Sequence, residues 1–282
     1  MTKEFVFHIQ EKLDTFIIKT RPLNGGCINE TKKIETSKGA YFIKTNTKRN
    51  LLLKEKRGIE KIEATKTIKT PKIIVFGVFK DTEYLILEFI QQKNPDKNFW
   101  RLFGEKLAKL HKKHDKKHGL KYDNYIGTLA QKNTPSYNGV DFYIHNRILP
   151  QLNLLNKKAY NLVSSKFQKL FNLLPNLIPQ ETASLIHGDL WGGNYLVNKK
   201  GEPVIFDPAV YYGNREIDIA MTKLFGGFSQ EFYTSYQSSF PLVSGWENRV
   251  EIWNLYPLLV HANLFGGGYI NQVEFILKKY VS

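Results

Sequence analysis

The chain has 282 residues, with 41 lysine and arginine residues against 26 acidic ones, and its formal net charge is +15. A chain of this length buries about three quarters of its unfolded surface and needs no disulfide scaffold, and its single cysteine excludes an intrachain disulfide. No run approaches the roughly eighteen apolar residues of a membrane span, and the N-terminus lacks a signal peptide's apolar core. These observations predict a cytoplasmic protein without a membrane partner.

A high positive charge is also typical of nucleic-acid-binding proteins. Here most of the charge is lysine spread along the whole chain, and no tract interleaves arginine with aromatic residues as a single-strand platform does. We therefore expect no specific nucleic-acid partner. The densest run, 111–118, has histidines at helical spacing, but its flanking lysines would repel a divalent cation. It predicts a solvated helix end with His111 packing inward.

The first third of the chain is rich in predicted strands. A loop between two of them contains Gly25 and Gly26, and glycine lets the backbone approach a phosphate without interference from a Cβ atom. The next strand ends at Lys44. A glycine loop followed by a strand that ends in lysine is the order found in kinase nucleotide sites, where the lysine contacts the α- and β-phosphates of ATP. A helix predicted over 51–64 places Glu55 where it could pair with Lys44 and orient it.

Two further strands are predicted over 72–77 and 83–90, from their β-branched and aromatic residues. The second strand would run into a hinge between two lobes, where the backbone of Glu88, Phe89 and Ile90 could bond adenine. The alternative interpretation is a core strand with no ligand role.

The most informative stretch is HGDLWGGN, residues 187–194, followed thirteen residues after its asparagine by Asp207. Phosphoryl transfer needs one carboxylate to accept the proton of the attacking hydroxyl, and an amide oxygen and a second carboxylate to hold Mg²⁺. Asp189, Asn194 and Asp207 supply these three groups. The alternative is a surface hairpin with incidental acids at its ends, but three residues of the correct type at two correct spacings argue against it.

The residues between Asn194 and Asp207 predict a hairpin, with strands over 195–198 and 203–206 and a turn in which Gly201 takes a positive φ. Such a hairpin would place Asn194 and Asp207 side by side. Only ten residues then separate Asp207 from Asp218, which leaves no room for a long activation segment. We therefore expect a metabolite rather than a protein as the acceptor. Separately, we expect Asp218 to anchor the catalytic loop by hydrogen bonds to its backbone rather than to touch the substrate.

The predicted fold class is α+β. We expect a bilobal protein-kinase-like fold, with a small β-rich N-lobe over 1–90 and a larger, mainly helical C-lobe over 91–282. The cleft between the lobes would be the active site.

Several segments of the sequence together resemble one family. HGDLWGGN, DPAVYYGNREIDIAMTKLFGGF and LYPLLVHANLFGGGYI look like the fructosamine kinase, or ketosamine 3-kinase, family, which is related to the aminoglycoside and choline kinases. The match extends upstream to LNGGCINET, YFIK and LEFI and covers nearly the whole chain. The resemblance implies phosphorylation of the sugar 3-hydroxyl of ketosamines with ATP and Mg²⁺, and a repair role in which the free amine is recovered. Asp189 would be the base, Asn194 and Asp207 the metal ligands, and Lys44 the triphosphate contact.

Candidate substrate contacts are less specific. Trp191 could pack against the sugar or against the stem of a glycated lysine, or it could be a core aromatic beneath the catalytic loop. His261 and Asn263, on a helix predicted over 251–265, are expected to line the sugar pocket. Ribulosamines, erythrulosamines and fructosamines all fit as substrates, either as free amine adducts or on glycated lysine.

Cys27 lies in the predicted phosphate loop, where this family often has a cysteine implicated in redox control through intermolecular bridging. We expect a monomer or a redox-linked homodimer. The alternative interpretation is that Cys27 is simply a small residue tolerated in a turn.

Two other functions stay open. One is a kinase of another small alcohol such as an aminoglycoside or choline, although the C-terminal part lacks an obvious acidic cluster. The other is a non-catalytic nucleotide-binding protein, which would not need the base Asp189.

Overall fold

The structure is a computed structural model that describes residues 1–23 and 29–281. Gly25, Gly26 and Cys27 of the predicted phosphate loop lie outside the described residues. Along the chain the elements are α1 (Lys3–Leu13), β1 (Ile17–Pro22), β2 (Glu30–Thr36), β3 (Gly39–Asn46), α2 (Leu51–Glu63), β4 (Ile73–Phe79), β5 (Thr82–Glu88), α3 (Phe99–His111), β6 (His114–Asp115), β7 (Asn124–Ile126), β8 (Leu129–Gln131), α4 (Gly139–Tyr143), a π-helical turn (Ile144–Ile148), α5 (Leu149–Leu152), α6 (Lys157–Leu177), β9 (Ala183–Ile186), β10 (Tyr195–Val197), β11 (Pro203–Ile205), β12 (Tyr211–Gly213), α7 (Glu216–Leu224), α8 (Gln230–Ser239), α9 (Trp246–Phe265) and α10 (Tyr269–Val281).

The chain divides into two compact units. The first contains Met1–Phe99 and Tyr195–Asp207, and the second contains Trp100–Asn194 and Pro208–Ser282. The prediction from sequence differs in assigning 91–99 and 195–207 to the larger lobe. Strands dominate the first unit and helices the second, which confirms the predicted α+β class.

The first unit is built on an antiparallel five-stranded sheet with the order β1-β2-β3-β5-β4. Helix α1, which the sequence analysis did not predict, packs on this sheet through Phe5, Ile9 and Leu13, spaced four residues apart on one helical face. These side chains join Ile43 and Ile86 of β3 and β5 in the unit's core. Because β3 lies inside the sheet between β2 and β5, the strand that holds Lys44 has a fixed position.

Helix α2 begins one turn before Glu55, and its start is fixed by a carboxylate from the sheet. Asn50, at the N-cap, makes no side-chain capping bond. Instead Glu83 of β5, which is buried, accepts hydrogen bonds from the backbone amides of Asn50 and of Leu52, the latter at 2.9 Å. A carboxylate at a helix N-terminus satisfies free amides and complements the helix dipole. The predicted helix over 51–64 is thereby confirmed to within one residue.

The predicted hairpin is present as β10 and β11. Tyr195 pairs with Ile205 and Val197 with Pro203, and Gly201 in the turn has φ +80°. The hairpin is attached to the first unit through the amide of Ile205, which donates to the carbonyl of Lys69 at 3.0 Å. This confirms the strand–turn–strand prediction; the proximity of Asn194 and Asp207 stays a prediction.

The second unit is organised around α9, which is buried along most of its length and packs against α7, α10 and α5. It begins at Trp246, not at residue 251 as predicted, because Gly245 takes the left-handed conformation directly before it and ends the preceding turn. A small sheet with the order β12-β9-β6 leads from β9 into residues 187–194. Among the described residues no helix is both long and apolar enough to cross a bilayer.

Candidate active site

Lys44 in the first unit lies between two carboxylates. Its Nζ donates to Oε1 of Glu55 at 2.8 Å and also to Oδ1 of Asp207. The lysine is 2% exposed, and Glu55 is on α2 while Asp207 follows β11. The predicted pair of Lys44 and Glu55 is thus present, and the lysine also reaches the predicted metal ligand.

The electrostatics of this group follow from one ammonium shared by two acids. Burial alone would lower the pKa of Lys44, but the charges of Asp207 and Glu55 more than offset it, and the net shift is upward. Burial raises the pKa of Glu55 despite the attraction of Lys44, and the charge of Asp207 adds to the rise. Lys44 is therefore a permanent cation, suited to contact an anionic phosphate.

Asp207 has an unusual backbone. Its φ of 58° lies in the left-handed region, which residues other than glycine seldom adopt. Such a conformation costs on the order of 1–3 kcal/mol and persists where the surrounding structure holds it, often at functional sites. In this case the bond to Lys44 and the following Pro208, whose ring fixes its own φ, hold the carboxylate in one direction.

In the second unit, Asp189 and Asn194 are joined by direct hydrogen bonds. The Nδ2 of Asn194 donates to Oδ2 of Asp189 at 3.0 Å and to its backbone carbonyl at 2.8 Å. Because the amide nitrogen is used in this way, the amide oxygen is the atom with which Asn194 could bind a cation. The contact also orients the carboxylate of Asp189, the predicted base.

Asp218 anchors the loop that contains Asp189, as predicted. It is completely buried at the start of α7, and its two carboxylate oxygens accept the amides of His187 at 2.7 Å and Gly188 at 2.8 Å. Burial alone would raise the pKa of Asp218, but the hydrogen bond and charge of His111 dominate and lower it. His111, fully buried as predicted, bonds Asp218 at 3.1 Å and Tyr236 at 2.8 Å.

At the position of Gly188, protein kinases usually have a residue that carries a side chain. Its φ is +81°, and a Cβ atom at this position would overlap the carbonyl oxygen of Ala209. That carbonyl belongs to a segment that is itself bonded to the loop, since the amide of Ala209 donates to the carbonyl of His187 at 2.9 Å. Glycine is therefore required at position 188, because only a residue without a Cβ atom fits beside the carbonyl of Ala209.

Trp191 lies at the surface rather than in the core. It is 37% exposed, covers Gly193, and meets the ring of Phe225 edge-on with centroids 5.9 Å apart. Phe225 in turn lies 4.9 Å from the ring of His261. The ring of His261 also contacts the rings of Phe265 and Tyr269. We call these five side chains the aromatic ledge: Trp191, Phe225, His261, Phe265 and Tyr269.

The structure distinguishes the two predicted substrate residues of α9. His261 is part of the aromatic ledge, and its Nδ1 bonds the carbonyl of Pro257 at 2.7 Å. Burial lowers its pKa, so the imidazole is neutral at physiological pH. Asn263 instead uses its Nδ2 to bond both the carbonyl and the side-chain oxygen of Gln151 at 2.9 Å. Its observed contacts tie α9 to α5, and the sugar-pocket role stays a prediction.

The predicted hinge residues are only partly available as backbone donors. The amide of Glu88 donates to the carbonyl of Lys72 at 2.9 Å, within the sheet, and so is already used. β5 ends at Glu88, and Phe89 and Ile90 follow it outside regular structure. If this segment binds adenine through an amide, the donor is therefore Phe89 or Ile90.

Arg147 was missed by the sequence analysis. It is fully buried, and its guanidinium stacks on Tyr211 with 3.8 Å between the guanidinium carbon and the ring centroid. Its nitrogens donate to the carbonyls of Lys132 and Asn146 and to Oδ1 of Asn133. Tyr211 pairs with Ile186 in β9, the strand that leads into the catalytic loop, so Arg147 supports the strands that position that loop.

The donor set fits a hard divalent cation. Mg²⁺ prefers carboxylate and amide oxygens, and it usually binds through one or two protein ligands together with phosphate and water. Asn194 and Asp207 offer these oxygens. Asn194 belongs to the second unit and Asp207 to the first, so the binding of one cation by both stays a prediction. In residues 1–23 and 29–281 no three histidine, cysteine, aspartate or glutamate side chains form a closed metal cage.

Comparison with known proteins decides the family. The model of the family described as fructosamine kinase matches residues 1–282. The chain belongs to the fructosamine kinase family. A "Probable ketoamine kinase" of Enterococcus faecium is 38% identical over 93% of this chain and 95% of its own length. A chloroplastic protein-ribulosamine 3-kinase of Arabidopsis thaliana is 36% identical over 95% of this chain and 84% of its own.

The fold of this fructosamine kinase family member also matches solved structures. A structure from Haemophilus somnus, named for fructosamine-3-kinase, is similar with a TM-score of 0.88 at 26% identity, covering 99% of this chain and 97% of that one. An aminoglycoside phosphotransferase is similar in fold alone, with a TM-score of 0.67 at 14% identity over 98% of each chain. The predicted kinase-like fold is confirmed, and the protein is a kinase.

Proposed function

We propose that this kinase uses ATP and Mg²⁺ to phosphorylate the 3-hydroxyl of the sugar in ketosamines, and that the reaction serves deglycation of amines. The observation that carries the proposal is the Asp189–Asn194 pair, held in a loop that Asp218 fixes by both carboxylate oxygens. It is supported by membership of the fructosamine kinase family.

In this proposal each polar group has one task. Asp189 accepts the proton of the attacking sugar hydroxyl, and its orientation is set by the 3.0 Å bond from Asn194. Lys44 contacts the triphosphate as a permanent cation, and Glu55 holds it in place. Asn194 and Asp207 would hold Mg²⁺, which neutralises charge on the phosphates when it is bound with ATP. Gly25 and Gly26 are proposed as the phosphate loop.

The aromatic ledge supports a ketosamine as the acceptor. It includes Trp191, two residues after Asp189, and its imidazole, His261, is held neutral because burial lowers the pKa. Aromatic faces pack against the apolar faces of sugars and against the methylene stem of a lysine. The E. faecium and A. thaliana relatives are named for ketoamine and ribulosamine kinases, which agrees with this chemistry.

The decisive experiment measures Mg²⁺-dependent ADP release with ribulose-lysine, fructose-lysine and an aminoglycoside side by side. We expect turnover with at least one ketosamine and none with the aminoglycoside. The matched control is Asp189→Asn, which should keep nucleotide binding nearly intact and lower turnover by at least ~10², the scale of a general base. Turnover of the aminoglycoside alone would refute the proposal.

The redox hypothesis for Cys27 is separate from the catalytic proposal. We propose that oxidation links two chains through Cys27, the only cysteine. A non-reducing gel after peroxide treatment, with Cys27→Ser as control, tests this directly. Absence of a dimer band in the unmodified protein would contradict it.

A further inference from the structure

The first unit contains a cavity of about 250 Å³ that the proposed catalytic groups do not use. β5 separates β3, which holds Lys44, from β4, and the cavity is lined by the segment leading into β4. Lys44, Glu55 and Asp207 are not among the lining residues, which are Lys69, Thr70, Glu88, Phe89, Ile90, Gln91, Asn198, Lys199, Lys200 and Val204.

The lining is strongly basic. It includes Lys69, Lys199 and Lys200 but a single carboxylate, Glu88. The Oε1 of Glu88 already accepts a hydrogen bond from the amide of Lys72 at 2.9 Å, so it is engaged by backbone. Lys69 pairs with a glutamate of the hairpin, whereas Lys199 and Lys200 form no ion pair with any described residue. The lining therefore has three lysines against one carboxylate, and two of these lysines, Lys199 and Lys200, have no carboxylate partner among the described residues.

A neutral donor completes the site. The hydroxyl of Thr70 is buried and has no hydrogen-bond partner among residues 1–23 and 29–281. Buried polar groups nearly always have a partner, from the protein, from water or from a ligand. Since Thr70 lines the cavity, an atom bound there is the natural partner for this hydroxyl.

The turn that presents two of the lysines is held in one conformation. The side-chain oxygen of Asn198 accepts the amides of Lys200 at 2.9 Å and Glu202 at 3.0 Å, and its carbonyl accepts the amide of Gly201 at 2.9 Å. A preorganised turn loses little entropy when it binds a ligand.

We propose that this cavity binds a phosphate group, as inorganic phosphate or as the phosphomonoester of a small metabolite, separately from the triphosphate site. Lysine ammonium groups and a hydroxyl donor match the acceptor oxygens of phosphate. All three predicted hinge residues, Glu88, Phe89 and Ile90, line the cavity, so the bound phosphate lies directly beside the segment proposed to contact adenine.

The test is calorimetric titration of the full chain with inorganic phosphate at constant ionic strength, with AMP-PNP present at saturation to fill the nucleotide site. We expect Lys199→Ala/Lys200→Ala to weaken binding by roughly tenfold or more, because two direct cationic contacts are lost. The matched control is Lys157→Ala/Lys158→Ala, which removes two adjacent exposed lysines at the start of α6. Equal binding by the wild type and the Lys199/Lys200 variant, or an equal loss in the control, overturns the proposal.

A second variant keeps the charge constant. Thr70→Val replaces the buried hydroxyl by a methyl group of similar size and should weaken phosphate binding several-fold without lowering the melting temperature. Unchanged affinity in this variant places the anion elsewhere and overturns the proposal. A parallel arm with ribose 5-phosphate identifies the source: tighter binding than inorganic phosphate points to a phosphorylated metabolite. Failure of both ligands to bind below ~10 mM overturns the site.

Discussion

Arg147 stacks its guanidinium 3.8 Å above the ring of Tyr211 in the interior of the second unit, and within residues 1–23 and 29–281 it donates hydrogen bonds to carbonyl and amide oxygens and to no carboxylate. The cation is stabilised instead by aromatic faces and by carbonyl and amide oxygens. Replacement by methionine would leave these oxygens unpaired, and we expect a loss of about 3 kcal/mol in the free energy of unfolding. Urea unfolding monitored by circular dichroism measures it.

Tyr211→Phe is the control for this site. The Tyr211 hydroxyl is buried and has no hydrogen-bond partner in the described part of the chain. Removing it keeps the stacked ring and deletes an unsatisfied polar group, so stability should stay the same or rise slightly. A loss as large as that of Arg147→Met would show that the ring face is not the important contact.

Gly188→Ala should damage the catalytic loop directly. The new Cβ would overlap the carbonyl of Ala209, and φ +81° is unfavourable for alanine. We expect a loss of about 2–4 kcal/mol in stability and a drop in turnover, because the shifted backbone displaces Asp189. Gly192→Ala is the comparison within the same loop, since a Cβ there meets nothing within 4 Å, and its melting temperature should match the wild type.

Lys44→Met removes the ammonium that bridges Glu55 and Asp207. Breaking a buried pair from one side typically costs 3–5 kcal/mol, because a charge is left without compensation. The double variant Lys44→Met/Glu55→Leu should recover part of this stability while remaining inactive. Thermal unfolding of the two variants, measured together with ADP release, separates the structural from the catalytic effect. A double variant less stable than the single one would contradict this account.

Phe225→Ala tests the aromatic ledge. Phe225 bridges Trp191 and His261, so its loss removes a ring that we propose contacts the acceptor, and neither of these ring partners is a proposed nucleotide-binding residue. We expect KM for the ketosamine to rise by roughly tenfold while KM for ATP stays unchanged. Phe275→Ala, on the exposed face of α10, is the matched control. Equal changes in both KM values would indicate a disturbed fold instead of a lost substrate contact.

The buried Asp218 predicts a pH dependence of stability. Its folded-state pKa is lowered, so its ionised form adds stability above the unfolded pKa of about 3.9, and this stability is lost as the pH falls through the folded pKa. Asp218→Asn should therefore be less stable than the wild type above pH ~5, with the difference shrinking below pH ~4. Unfolding free energies at pH 3, 5 and 7 measure the trend, and a constant difference would contradict it.

The residues with local signals were predictable from the sequence. Lys44 on a strand, Glu55 on the next helix, and the hairpin after Asn194 all follow from short-range patterns, and the structure contains each of them. Asp218 was predicted to anchor the catalytic loop through hydrogen bonds to its backbone, and its bonds to the loop amides confirm that role.

The residues missed by the sequence analysis depend on contacts between distant segments. Arg147 resembles a surface arginine until Phe142, Tyr211 and Tyr256 enclose it from three parts of the chain. Phe225 belongs to the ledge because α7 ends beside Trp191 and α9, which no local periodicity predicts. The start of α9 was misplaced because its first six residues, Trp246 to Glu251, are mostly polar, so no apolar stripe marked its first turn.

The segment after Asp207 has a consequence for control of the enzyme. β12 pairs with β9 from Tyr211 to Gly213, and the amide of Ala209 is bonded to His187, so this stretch is part of the scaffold. It cannot be reordered by a modifying enzyme without breaking the sheet that leads to Asp189. We therefore expect this kinase to need no modification of this stretch before it can work, so that its rate in a cell follows the amount of enzyme and of acceptor.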